Sequence, residues 1–188
     1  VAHKNGKIER LSDKEGCNYA IFSGDYRYFI NTWSDYNTPY VYTTRDNQGR
    51  VLSTNLDNKE LKAKIAKYGW TQKEAFSFTT SEGVKLDGWM VKPANFDSSR
   101  KYPVIMFQYS GPGNQQVMNS WNAGSMGQGG AYDMYLAQQG YIVVCVDGRG
   151  TGGRGSDFEK STYLNLGKLE ARDQVETALY LGSLPYVD

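Results

Sequence analysis

Histidine occurs once in this chain, at His3, and that scarcity closes off more chemistry than any other feature of the composition. One imidazole near residue 1 cannot build a His-based zinc site or a complete serine–histidine–acid relay within the later, α/β-patterned part of the sequence. His3 reads as a structural or frayed-end residue. Cysteine occurs twice, at Cys17 and Cys145, in different segments and at no metal-ligand spacing. Cys145 lies in an apolar run and reads as a small core residue, with a disulfide partner as the alternative. No apolar run reaches the roughly eighteen residues that span a bilayer, and no basic-then-apolar targeting segment opens the sequence. Val1 stands where a Met would start a whole protein, which is compatible with an excised piece. Charge of one sign is not in excess: 21 Lys and Arg face 20 Asp and Glu, with no basic block or stripe, so nucleic acid is not an expected partner. The acids are scattered. Asp147 with Asp157 or Glu159 could at most hold a hard cation weakly, and no spacing selects a carboxylate pair for acid–base work. No metal and no cofactor is expected.

What is present changes character near residue 60. Upstream, aromatic and β-branched segments at 18–23, 28–33, 39–44 and 50–53 alternate with turn signals at 23–25, 35–37 and 46–49. The pattern predicts an antiparallel meander the size of one propeller blade, which cannot cover both of its faces and needs neighbours; a free-standing β-subdomain is the alternative. Residues 58–68 place Leu61, Ile65 and Tyr68 at helical spacing before Gly69, a short connecting helix.

Downstream the pattern becomes α/β. Residues 74–80 and 84–91 flank Ser81, Glu82 and Gly83 as a hairpin. The strand-like run 102–109 leads into a turn with Gly111 and Gly113, and the run 141–147 leads into Gly148, Arg149 and Gly150. Together these predict two neighbouring parallel strands with their loops at one rim. Residues 131–139 form a crossover helix ended by Gly140, and a longer helix runs from Leu166 to about Gly182. Two motifs could mislead. Gly150, Gly152 and Gly155 spell G-x-G-x-x-G, but a dinucleotide site needs a helix starting within the glycines, and 156–160 shows no clear amphipathic start. Residues 123–127 resemble a degraded G-x-S-x-G elbow, but no apolar strand precedes Ser125.

These pieces jointly resemble the prolyl oligopeptidase family of serine peptidases, most closely its dipeptidyl peptidase IV branch. Tyr109-Ser110-Gly111-Pro112-Gly113 is similar to the loop after the third hydrolase strand. Asp147-Gly148-Arg149-Gly150-Thr151-Gly152 is similar to the loop after the fourth, and Leu166-Gly167 with Asp173-Gln174 to the helix that leads to the nucleophile strand. The resemblance implies an incomplete α/β-hydrolase sheet preceded by an antiparallel β segment resembling the last part of a β-propeller. Residues 1–58 would be a propeller segment, 59–73 a connector, and 74–188 the N-terminal part of a catalytic domain. It implies that Tyr109 helps bind the oxyanion, and that Asp147 and Arg149 support their loop. Asp173 either pairs with that loop or lies on the helix's solvated side. Ser110 is not the nucleophile in this pattern. Tyr186-Val187-Asp188 resembles the loop before the nucleophile strand, so the serine, acid and histidine are expected beyond it, and the paired glutamates of the dipeptidyl branch before Val1. The expected activity is release of N-terminal dipeptides, often after proline, by the intact protein, with the isolated chain inactive. An oligopeptidase or acylaminoacyl peptidase of the same scaffold, and a noncatalytic binding or structural fragment, are the alternatives. Peptide substrate, the remainder of the parent chain and a second copy in a homodimer are the implied partners, and a periplasmic or cell-envelope location is implied.

Overall fold

A computed structural model describes residues 6–126 and 130–188; His3 and Gly127 lie outside the described residues. The chain divides into two units, Val1–Ile65 with Asn119–Trp121, and Ala66–Met118 with Asn122–Asp188.

The first unit is an antiparallel meander of β1 (Cys17–Phe22), β2 (Tyr28–Asp35), β3 (Thr38–Asp46) and β4 (Val51–Leu56), in that spatial order. Short polar side chains make its turns by taking up the backbone donors that the ladder leaves over. Asp46 accepts the N–H groups of Gln48 and Arg50, each at 3.0 Å, and Gly49 takes a positive φ of 83° to close the turn. Alternation then separates two faces. On one, Phe29, Asn31 and Arg45 are buried, with Arg45 donating to Asp13 at 3.0 Å and to the Gly49 carbonyl at 3.2 Å. On the other, Ile21 pairs across from Ile30 and Tyr19 from Thr32, and Tyr19, Ile21 and Ile30 are all exposed. α1 (Lys59–Ala66) follows with no buried residue.

The second unit contains β5 (Lys73–Thr79), β6 (Lys85–Val91), β7 (Val104–Phe107), α2 (Ala131–Gln138), β8 (Ile142–Asp147), α3 (Ser156–Lys160) and α4 (Lys168–Gly182). Its sheet runs β5-β6-β8-β7, with β7 and β8 parallel and the other pairs antiparallel. β8 is therefore internal, and all six of its residues are buried, as a strand covered on both faces must be. One side of the sheet packs Leu86, Met90, Ile142, Val144 and Val146 against Phe78, Tyr102 and Leu181. Phe78 also stacks on Tyr180 with ring centroids 4.5 Å apart. Gly88 has no room for a side chain, since a Cβ there would lie 2.7 Å from both Phe76 and Val146.

Two expectations are corrected here. The apolar run 104–109 is a strand only to Phe107; that strand is half-buried throughout, because among the described residues β7 pairs along its length with β8 alone, and Gln108 and Tyr109 beyond it are exposed. A helix does form at Ser156–Lys160; five residues are too few to display a helical period.

Thus the chain is an antiparallel β-sheet followed by a partial α/β sheet, the incomplete hydrolase and propeller-like arrangement expected from the sequence.

Candidate active site

Parallel pairing of β7 and β8, with Phe107 opposite Cys145, sends their following turns out of the same sheet edge. The turns are bound to each other by main-chain groups. Asp147, the last residue of β8, is buried. Its carboxylate accepts the N–H of Gln116 at 3.0 and 3.1 Å and that of Val117 at 2.8 Å. Burial holds this carboxyl above the usual carboxylate range, outweighing the N–H bonds that favour its charged form. Gly152 N–H donates to the Asn114 carbonyl at 2.7 Å, and Gly113 N–H to the Glu159 carboxylate at 3.2 Å.

The β8 turn is fastened from below by α4. Asp173, fully buried, accepts the Arg149 backbone N–H at 2.6 Å, and the Arg149 guanidinium grips both of its oxygens at 2.7 to 3.1 Å. Such a fork-to-carboxylate grip fixes orientation as well as distance. The Asp173 bond, with that of Glu82, keeps Arg149 above the ordinary arginine range. Gly148 lies hard against this pair, where an added Cβ would stand 3.0 Å from the Asp173 Cβ. Gly150, at φ 95°, meets the Thr162 side chain in the same way, at 2.7 Å. Of the glycines in the G-x-G-x-x-G spelling, Gly150 therefore allows a protein side chain to approach the backbone closely, whereas a Cβ at Gly152 would lie 3.6 Å from the Asn114 carbonyl oxygen and one at Gly155 would meet nothing within 4 Å.

Tyr109 stands on the neighbouring turn and is 58% exposed, its ring presented to solvent. Gly111 and Gly113, both at positive φ, shape the turn after it, and Asn114 N–H returns to the Gly111 carbonyl at 3.3 Å. The structure thus joins Asp147, Arg149 and Asp173 in one buried polar scaffold and sets Tyr109 on the loop that this scaffold holds. An apolar cavity of about 670 Å³ adjoins the turn, lined by Pro112, Thr162, Tyr163, Leu164 and Leu166 with Glu159 and Lys160 at its margin.

Ser125 is not at a strand-to-helix turn. It accepts a 3.3 Å bond from Lys73, which also donates to the Ala123 carbonyl at 3.0 Å and lies over the Trp89 ring at 3.7 Å. Burial pulls Lys73 down to about 8, with Asp133 opposing that shift. Burial likewise raises Asp133 and the Cys145 thiol. Sequence reasoning missed Lys73, Asp133 and Glu82. The partners of Lys73 and Glu82 are distant in sequence, and only Asp133, an acid between Tyr132 and Met134, carried a local signal. Among the described residues no His, Cys, Asp and Glu group could hold a metal ion, and no helix is long and apolar enough to cross a membrane.

Residues 131–188 match the Prolyl oligopeptidase family. The chain is 34% identical over 171 residues to the dipeptidyl peptidase 4 of Trichophyton equinum, and equally to that of Trichophyton rubrum; each match takes in 89% of this chain and 22% of the fungal protein. The crystal structure of Porphyromonas gingivalis dipeptidyl peptidase 4 superposes with a TM-score of 0.90 at 44% identity, over 98% of this chain and 26% of that one. The chain therefore spans less than a third of the length of any of these relatives.

Proposed function

This chain belongs to the prolyl oligopeptidase family of serine peptidases, in its dipeptidyl peptidase IV branch, and we propose that it is part of an enzyme that hydrolyses peptide bonds near the substrate's N-terminus, often after proline. The observation that carries this reading is the side-by-side exit of the Tyr109 turn and the Asp147–Arg149 turn from two parallel strands. In this reading 1–58 is the end of a propeller, 59–73 a connector and 74–188 the start of the catalytic domain.

A serine, made nucleophilic by a histidine that an acid orients, attacks the scissile carbonyl and forms an acyl-enzyme, which water releases. The relatives are several times longer than this chain, and the remainder of the protein supplies those three groups. One contact supports this reading. Val187 forms a parallel bridge with Tyr102, whose N–H donates to the Tyr186 carbonyl at 3.0 Å and whose carbonyl accepts the Asp188 N–H at 3.1 Å. A strand continuing in that direction would run along the side of β7 that β8 does not occupy and would end beside the Tyr109 turn.

Tyr109 donates its phenolic O–H to the oxygen that becomes negative in the tetrahedral intermediate. A neutral donor placed beforehand stabilises that charge without reorganising solvent. Asp147, Arg149 and Asp173 support the loops and do not contact substrate. Pairing into a homodimer and a periplasmic or cell-envelope location rest on the family resemblance alone; sedimentation and cell fractionation test them.

The full-length protein should release p-nitroaniline from a free-amino Xaa-Pro-p-nitroanilide and leave the N-blocked form intact. Equal cleavage of both would replace dipeptidyl release with oligopeptidase activity. Tyr109→Phe should slow single-turnover acylation about 100-fold; an unchanged rate would remove the oxyanion role.

A further inference from the structure

We propose that Glu82, in the turn between β5 and β6, is a positioning residue that holds the Tyr109 turn in its working place through Arg149; the inference rests on the peptidase reading above. The Glu82 carboxylate is shared between two guanidinium groups. One oxygen lies 2.8 Å from Arg149 Nη2 and the other 2.8 Å from Arg172 Nη1. The adjoining Ser81 is clasped by Glu176, which accepts its N–H at 3.0 Å and its hydroxyl. Arg172, Asp173 and Glu176 all lie on α4. The hairpin turn and the helix therefore grip Arg149 from two sides, Asp173 through the helix and Glu82 through the hairpin.

Each grip constrains a different freedom. Asp173 fixes the plane of the guanidinium and the position of the Arg149 backbone N–H. Glu82 takes a second bond from Nη2 and sets the tilt of that plane toward the hairpin. From Arg149 the constraint passes along covalent neighbours to Asp147 and Gly152, and from these across hydrogen bonds to Gln116, Val117 and Asn114. Those residues follow directly on the turn that carries Tyr109. Glu82 is itself one-third exposed, so its ion pairs add little to global stability. Its influence belongs to the placement of the turn, where displacements well below an ångström alter how a donor meets developing charge.

The test is a double-mutant cycle in the full-length protein with the Xaa-Pro-p-nitroanilide substrate, comparing wild type, Glu82→Gln, Tyr109→Phe and both together. Glu82→Gln keeps the shape of the side chain and removes its charge. It should lower kcat about 3- to 10-fold with KM unchanged, and should cost nothing further once Tyr109 is Phe. The same fold-loss in both backgrounds, or a wild-type kcat for Glu82→Gln while Tyr109→Phe is impaired, would overturn the role of Glu82 and leave the peptidase reading standing. A wild-type kcat for Tyr109→Phe would overturn the oxyanion role and this inference with it.

Discussion

The two four-stranded sheets differ in what their strands bury. In the first unit β4 is exposed along its whole length and one face shows Tyr19, Ile21 and Ile30 to solvent. In the second, β8 is buried at every residue and pairs on both edges. The contrast follows from their sequences. The meander alternates apolar and polar residues and buries one face, whereas β8 is a continuous apolar run that needs cover on both. An apolar face left open is surface meant for a neighbour, and a fully enclosed strand is a fixed point from which loops can be aimed. The buried polar contacts accordingly gather at the end of β8, where Asp147 and Arg149 are held by Gln116, Val117 and Asp173.

If that contrast is right, substitutions in the second unit should cost far more than substitutions on the open face of the first. Asp173→Ala leaves the Arg149 guanidinium partly buried without its main partner, and should lower the unfolding free energy by about 3–5 kcal/mol, read from urea denaturation; a loss below about 1 kcal/mol would mean that the scaffold is held by packing alone. Lys73 comes next. Its folded pKa, about 8 against 10.5 for the free side chain, means that burial disfavours the charged form. Below pH 8 the penalty is present in full. Between pH 8 and 10.5 the unfolded chain holds a proton that the folded chain has released, so stability rises with pH. Wild type should therefore gain on Lys73→Met by up to about 3 kcal/mol across that window, and a pH-independent difference would contradict the burial argument. Gly88→Ala forces a methyl against Phe76 and Val146 and should cost about 1–3 kcal/mol. The smallest effect is expected for Ile21→Ser in the isolated chain, within about 0.5 kcal/mol. A large loss there would show that the face is covered.

How much of this was legible in the sequence depended on the range of the interaction involved. Turn residues such as Asp46 and Gly49 act on neighbours a few positions away, so the meander could be read strand by strand. Gly140 likewise marks the end of α2, where it takes φ 93°. The parallel pair β7 and β8 was legible because each is a compact apolar run followed by a glycine turn, with a crossover helix between them. What could not be read is spatial order and long-range polar contact. Nothing local says that β8 lies between β6 and β7, nor that Asn119–Trp121 groups with the first unit. The sequence left Asp173 open between a loop partner and a solvated position; burial against Arg149, 24 residues away, resolves it. Glu82 looked like an ordinary hairpin-turn acid because its partner is 67 residues distant.

Chemistry offers a check on the same ground. Neither Ser110 nor Ser125 of the isolated chain should be labelled stoichiometrically by a fluorophosphonate, since no strand-to-helix turn exposes Ser125 and Ser110 is not the nucleophile in the family pattern. Rapid labelling of either would give the chain a nucleophile of its own.

The most direct measurement is a crystal structure of the full-length protein carrying a serine-bound boronate or fluorophosphonate. The Tyr109 hydroxyl should then lie about 2.7–3.1 Å from the adduct oxygen that mimics the oxyanion, with the Arg149–Asp173 pair intact beneath it. An adduct at the opposite end of the sheet, or one whose oxygen is held entirely by other donors, would contradict the account.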